Sequence, residues 1–488
     1  MPADFAVPVA SEYFRVLPEI ILAGVGVLIM LLEPLTGRRR KHRLGYIAVA
    51  GFAAALVPAV LGEWTPGPAF SGMVAIDGFA VFFRVLVILA GLLVALASSS
   101  YLRREEAESG EYYALLMWSV AGQCVMVAAN ELIVIFIGLE ISSIASYVLA
   151  GFLRRERLAN EAAAKYFLLG SFATAFLLYG IALIYGGAGS TNLLAIRHAI
   201  STPGGAPGLL VAASAALIFV GLAFKISAAP FQMWAPDVYQ GAPTPVTAFL
   251  SAGPKAAAFA ILLRVYMTAF LPVSAWWEPI VWVSALLSMV VGNFAALLQT
   301  NVKRLLAYSS IAHAGYVLVA VAAHSPVGTA AAMFYLAAYA FMNLGAFLLV
   351  AWFSRRGERY VNIDDFAGLA WRQPVAASLF TLFLLSLIGV PLTGGFFAKF
   401  YVFKAALDAN LIWLTVLGLL NTAVAAYYYL RILVVMWMQE PAEATADLPP
   451  VPLGTKLALW VSALAILLLG IFPTAVLSYA IHAAALTR

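Results

Sequence analysis

Apolar stretches long enough to cross a hydrocarbon layer recur along the whole of this sequence, and that recurrence confines the chain to a membrane. One helical crossing needs about 20 predominantly apolar residues. Segments of that kind lie roughly at 17–35, 44–62, 74–100, 112–129, 131–153, 160–187, 208–232, 243–272, 276–299, 302–322, 327–353, 372–407, 410–437 and 454–481. They predict an all-α polytopic membrane protein of about 14 transmembrane helices. Segment 372–407 is long enough to be one interrupted helix or two short ones. Composition agrees: 64% of residues are hydrophobic, 10% are charged and the mean hydropathy is +0.96. A soluble globule would be about half apolar and about a quarter charged.

The connections test the count, because lysine and arginine accumulate on the cytoplasmic side of alternate loops. Connections after odd-numbered segments hold Arg38, Arg39, Arg40, Lys41 and Arg43; Arg103 and Arg104; Arg154, Arg155 and Arg157; Lys303 and Arg304; Arg355, Arg356, Arg359 and Arg372; and Lys456. That makes 17, against Arg15, Arg197 and Arg488 on the other face. Both termini are therefore expected outside the cytoplasm. The net charge of +5 reads as a topology signal, with no nucleic-acid partner needed. Asp4, Glu12 and Arg15 do not make the basic start of a cleavable signal peptide, so the first apolar segment should remain as a helix. Cys124 is the single cysteine, which excludes an internal disulfide. No CxxC, HExxH or Cys/His cluster offers a metal or iron–sulfur framework. The nucleotide motifs GxGxxG and GxxxxGK[ST] are also missing.

Eight basic residues remain inside the predicted spans: Arg84, Lys165, Lys225, Lys255, Arg264, Lys399, Lys404 and Arg431. Arg264, Lys404 and Arg431 lie within about two turns of a predicted helix end and can snorkel to the interface. Arg84 fits either a buried or an interfacial place. Lys225 and Lys399 are deeper, and Lys255 sits mid-span after the helix-weakening stretch SAGP, 251–254. Lys165 is closer to the cytoplasmic end, within reach of snorkelling. Glu140 stands near the centre of the fifth segment, where a carboxylate costs a few kcal/mol and normally faces a partner or a wet cavity. The alternative is a Glu–Lys pair that only packs.

Two prolines accompany the deep lysines. Pro230 follows Lys225, and Pro391 precedes Lys399 in GVPLTGGFFAKF. Proline removes a backbone donor, so helices 7 and 12 should break, which is tolerable where protein or water satisfies the freed carbonyls. Broken helices five apart run in opposite directions, as inverted five-helix repeats require. The single membrane domain, 1–488, then divides into helices 1–3 (about 17–100), a first repeat (about 112–272), a second repeat (about 276–437) and a C-terminal helix (about 454–481). SSIA at 142–145 and again at 309–312 is a light echo of the repeat.

Residue type points to the cargo. Lysines near a carboxylate can exchange protons, whereas a sodium site would favour carboxylates and carbonyl oxygens. His313, in RLLAYSSIAHAGY, would extend a relay, or would be a core histidine bonded by Ser309, Ser310 or Tyr316.

Several stretches together carry a resemblance: NELIVIFIGLEISSIASYVLAGF, EAAAKYFLLGSFATAFLLYGIALIYGGAGSTNL, FKISAAPFQMWAPDVYQGAPTPVTAFLS, VKRLLAYSSIAHAGY and GVPLTGGFFAKF. Over roughly 110–405 the chain resembles the subunit N family of bacterial proton-pumping NADH–quinone oxidoreductase, respiratory complex I, one of the antiporter-like subunits. KYFLLGSFATAFLLYG is closer to subunit N than to its sisters; subunit M carries glutamate where Lys399 stands, and subunit L has a long C-terminal lateral helix.

The resemblance implies a proton-translocating subunit of the bacterial inner membrane, assembled with other membrane-arm subunits in lipid. Flavin, iron–sulfur clusters and quinone would lie in partner subunits, with no cofactor in this chain. It implies Lys225 as the central proton store coupled to Glu140, Lys255 and His313 as carriers, and Lys399 as the residue governing the outer half-channel; Lys165 is a further candidate. Asp237, Tyr239 and the GAPTP turn would shape the loop after helix 7.

Three alternatives remain open. A subunit of a multisubunit cation/proton antiporter shares the motifs and would show sodium-dependent activity. An organic-solute transporter would need a substrate-sized polar cavity. A purely structural subunit would tolerate neutral residues at positions 140 and 225.

Overall fold

The structure, a computed structural model, describes residues 10–37 and 40–485. Asp4, Arg38, Arg39 and Arg488, used in the topology argument, lie outside the described residues. Helices come in the order α1 (Ala10–Arg15), α2 (Leu17–Leu32), α3 (His42–Leu61), α4 (Gly78–Arg104), α5 (Gly110–Ala128), α6 (Leu132–Ala150), α7 (Arg157–Ala188), α8 (Leu193–Ser201), α9 (Gly208–Lys225) and α10 (Trp234–Gly241). The second half holds α11 (Thr244–Thr268), α12 (Ser274–Leu297), α13 (Val302–Ala322), α14 (Pro326–Phe353), α15 (Leu369–Arg372), α16 (Pro374–Ile388), α17 (Gly394–Asp408), α18 (Ile412–Met438), α19 (Leu453–Ile471) and α20 (Pro473–Ala485). Among the described residues, 11 helices are long and apolar enough to cross a membrane, and Leu17–Leu32 and Pro374–Ile388 are shorter apolar helices.

Helix starts follow local chemistry. Asp77, Ser109, Asn192, Asn301 and Ser325 each cap a first turn by accepting a backbone N–H, which answers donors the helix cannot pair itself. Helices α11, α13 and α14 form the buried centre, α11 along its entire length. Outer helices keep apolar side chains exposed, such as Phe167, Leu168 and Phe172 on α7 and Leu419 and Leu420 on α18. Outside a hydrocarbon solvent such faces would be untenable.

Several expectations are corrected. The fold is not wholly helical: Gly67–Ala69 pairs antiparallel with Val74–Ile76, Gly67 opposite Ile76 and Ala69 opposite Val74. Phe70, Ser71 and Gly72 turn the chain with positive φ, so the third apolar segment begins as a strand and becomes helical only after its Asp77 cap. The SAGP stretch does not interrupt α11, whose packing on all sides holds Pro254 inside a continuous helix. Segment 454–481 is two helices, parted between Ile471 and Pro473. Arg264 does not snorkel: it is buried and donates two bonds, 2.8 and 2.9 Å, to the Asp77 carboxylate that caps α4. Arg84 is buried too, 2.5 Å from Glu19. Lys303, placed in a loop by charge alone, lies buried in the first turn of α13, because Glu358 and the Ala242 carbonyl give it partners there.

Candidate functional site

Lys225 is the last residue of α9, where the chain leaves the helix. Ser227 takes a left-handed φ of 60°, the Ala229–Pro230 peptide is cis, and helix resumes at Trp234. Neighbours satisfy the broken backbone. Ser288 accepts from the Ala229 N–H at 2.8 Å, Ser284 donates to the Ala229 carbonyl at 2.6 Å, and the Trp234 indole donates to the Phe224 carbonyl at 2.9 Å. The Lys225 side chain is buried; its Nζ donates to the Ser143 hydroxyl at 2.8 Å and the Tyr166 hydroxyl at 3.2 Å. Trp234 stacks on Tyr166 at 4.5 Å and 9° and meets the buried ring of Tyr239.

Glu140, half-buried on α6, accepts from Thr174 at 3.0 Å and makes no ion pair with Lys225. On α6 Lys225 meets Ser143, three residues further on, and the ring of Tyr147, whose centre is 5.8 Å from its Nζ. Lys165 stands apart from this group. It is 40% exposed and paired with Glu161 at 2.7 Å and Asp237 at 2.6 Å, while Asp237 also holds Arg304 at 2.7 Å. This network joins α7, α10 and α13, so Asp237 anchors the segment beyond the break.

The second group is continuous. Lys255 Nζ donates to the Ser310 carbonyl at 2.7 Å and hydroxyl at 2.5 Å, and stands 5.7 Å from the centre of the Tyr339 ring. Tyr339 packs on the His313 ring at 5.1 Å. His313 Nδ1 is 2.6 Å from the Tyr335 hydroxyl and Nε2 is 3.3 Å from that of Tyr429. Tyr316 lies beside His313 at 5.8 Å and under Lys399 at 4.9 Å. Lys399 is buried on α17, and its Nζ donates to the Ile388 carbonyl at 2.8 Å and the Leu387 carbonyl at 3.1 Å, the last turn of α16. Gly389 and Leu392 take left-handed φ in that break, and Pro391 sits within it. Lys255, Tyr339, His313, Tyr316 and Lys399 thus touch in sequence through the protein interior.

Two helical spans are thus each broken beside a buried lysine, with tyrosines and serines around both lysines. The family model described as "NADH:quinone oxidoreductase/Mrp antiporter, TM" matches residues 129–425. NADH-quinone oxidoreductase subunit N 1 of Solibacter usitatus is 62% identical over 475 residues, covering 97% of this chain and 98% of that protein. The chain belongs to the subunit N family of NADH-quinone oxidoreductase. Subunit N 2 of Koribacter versatilis is 50% identical over 99% of this chain and 98% of its own. A chain of respiratory complex I from Thermus thermophilus with bound Aureothin matches at TM-score 0.81 and 35% identity, covering 94% of this chain and 98% of that one. A chain of the Mrp complex from Dietzia shares the fold, at TM-score 0.82 and 22% identity over 96% and 97% of the two chains. Members of the subunit N family are antiporter-like membrane subunits of a multisubunit assembly.

Within this family fold, sequence reasoning found the lysines but missed their partners. His313 is held by Tyr335 and Tyr429 instead of Ser309, Ser310 or Tyr316; Ser309 bonds Tyr429 and Ser310 serves Lys255. Tyr335 and Tyr339 stand four apart in FYLAAYAF, one helical face, and that spacing was the available signal.

Proposed function

We propose that this chain is the antiporter-like membrane-arm subunit that translocates protons across the bacterial inner membrane, driven by electron transfer from NADH to quinone in other subunits. The observation that carries the proposal is the placement of Lys225 and Lys399 at two helix breaks, with Lys255, His313 and tyrosines in contact from the middle to Lys399. Lys225 serves as the central store, influenced by Glu140 through the short α6 segment that ends at Ser143. Lys255 and His313 pass the proton along the tyrosine-lined interior, and Lys399 governs the outer exit. Lys165 acts by fixing Asp237 and the segment beyond the first break. A path of this kind needs titratable groups and freed backbone at one depth, sealed from lipid by packed helices.

The membrane topology is 14 crossings with both termini outside the cytoplasm, counting α9 with α10 and α16 with α17 as single broken spans. Two inverted five-helix repeats underlie it. Supporting that view, α5 packs on α6 and α12 on α13 through backbone contacts at Gly122 and Gly292. Bridges Glu131–Asn192 and Asn301–Asn362 stand at the starts of the two SSIA helices. Flavin, iron–sulfur clusters and quinone are assigned to partner subunits of the same complex, in contact with this one in the lipid bilayer.

The test is purification of the tagged chain from membranes. Co-purification with flavin- and iron–sulfur-containing subunits, and loss of NADH-driven proton uptake by inverted vesicles in Lys225→Ala, are expected. Purification with antiporter-like membrane subunits alone, with sodium-dependent exchange, would favour a cation/proton antiporter instead.

A further inference from the structure

On the face of the basic connections, the turn after α14 adopts an unusual backbone. Arg355, Gly357 and Glu358 have φ of 58°, 71° and 48°. Left-handed conformation is natural for glycine and unfavourable for arginine and glutamate, and it persists where surroundings over-determine it. Here the Glu358 carboxylate does so. Its Oε1 accepts from the Tyr101 hydroxyl at 2.6 Å, the Thr244 backbone N–H at 2.8 Å and the Thr244 hydroxyl at 2.5 Å. Its Oε2 accepts from Lys303 Nζ at 2.6 Å, and Lys303 in turn donates to the Ala242 carbonyl at 2.8 Å. Glu105 accepts the Gly357 N–H at 2.9 Å, and Glu156 shares with Glu358 and Lys303 the wall of a cavity of about 90 Å³.

The four donors come from places that matter. Thr244 is the first residue of α11, which carries Lys255, and Lys303 is in the first turn of α13, which carries Ser310 and His313. One carboxylate therefore ties together the ends of the two helices whose interiors meet at the Lys255–Ser310 contact. We infer that Glu358 is a positioning residue for proton transfer at Lys255, holding α11 in register against α13. This inference rests on the relay reading above. Both helices are buried on nearly every side, so they move as rigid rods, and a shift at their ends is felt at a 2.5 Å contact in their middle.

Glu358→Gln in the assembled complex keeps the size of the side chain and removes the charge that Lys303 and Thr244 read. The expected result is NADH-driven turnover per assembled complex lowered by about tenfold to a hundredfold, the scale of a 1 Å misplacement. The alkaline limb of its pH profile should also move to lower pH, because the ammonium has lost well-placed acceptors. A role in folding alone would lower the amount of complex and leave the per-complex pH profile in place, and that result would overturn the inference. Thr244→Val covers the case in which Glu358→Gln fails to assemble: it removes one donor and keeps the backbone bond. It should displace the profile in the same direction by less, and an unmoved profile there would equally overturn the inference. Lys255→Ala separates the two levels of the reading. If Lys255→Ala pumps as wild type, the relay itself falls; if Lys255→Ala is impaired and Glu358→Gln is not, only the positioning role falls.

Discussion

Lys399 donates to the Ile388 carbonyl at 2.8 Å, across the five residues that separate α16 from α17. The ammonium thus stands where the missing helical donors would have been. A titratable group placed there couples its own protonation to the integrity of the break, since a deprotonated amine is a weaker donor to a carbonyl than an ammonium.

Lys399→Met should therefore have two effects. Proton uptake driven by NADH should fall, and the buried carbonyls of Leu387 and Ile388 should lose their donor at a cost of about 1–3 kcal/mol. Lys399→Arg separates the effects. Its guanidinium can restore bonds to the carbonyls, yet it hardly deprotonates at any accessible pH. Thermal stability of the complex should recover in the arginine variant while pumping stays low; recovery of pumping would exclude proton release from this position.

The first break makes a parallel case. Lys225→Ala and Glu140→Gln should each lower pumping and coupled turnover, with NADH oxidation by an artificial acceptor preserved, because the redox subunits are untouched. Ser143→Ala removes a neutral hydroxyl 2.8 Å from Lys225 and should cost about 1 kcal/mol, near fivefold in any rate that depends on the contact. A wild-type ratio of protons to electrons in both charge variants would remove Lys225 and Glu140 from the path.

Gly395 gives a test of geometry without charge. A Cβ at this position would lie 1.8 Å from the Ser386 carbonyl, which belongs to the other half of the break. Gly395→Ala must push α17 away from α16 and carry Lys399 with it. Overpacking of this kind costs about 1–3 kcal/mol. Lower assembly together with lower turnover per complex is expected, and normal turnover per complex would mean that the approach of the two halves is immaterial.

The membrane-spanning character, most of the apolar segments and both helix breaks were legible because hydropathy and proline act locally, whereas the strand that opens the third segment and the division of the last were not. Lys225, Lys255 and Lys399 were legible because a cation in an apolar run is conspicuous. The interior tyrosines were not: Tyr335, Tyr339 and Tyr429 look like ordinary apolar-span aromatics until α13, α14 and α18 pack together. Arg264 and Lys303 were misplaced for a related reason. Their partners, Asp77 and Glu358, are 187 and 55 residues away in sequence, and only the fold brings the charges together. Glu140 was expected to be coupled to Lys225, and whether the two form a closed pair was not legible, since only the fold shows that α6 turns Ser143 toward the lysine and leaves the carboxylate with Thr174.

Glu358 also predicts how the protein responds to acid. Burial alone would raise its carboxyl, but the Lys303 charge and bond, with the bonds from Thr244 and Tyr101, hold it below its ordinary value of 4.5. In the unfolded chain the group returns to that ordinary value, so between the two values the unfolded state binds more protons. Stability from the Glu358 clasp is therefore fully present above the ordinary carboxylate range and is lost as pH falls through the folded-state value. Apparent unfolding midpoints of the detergent-solubilised complex, followed at fixed scan rate through this subunit, should decline from neutral pH into that acid window. Glu358→Gln should begin lower at pH 7, because Lys303 is left buried beside an amide, and should decline less on acidification. The two curves should approach each other at low pH, where wild-type Glu358 is protonated as well. Parallel curves across the whole range would show that the carboxylate does not stabilise this face of the protein.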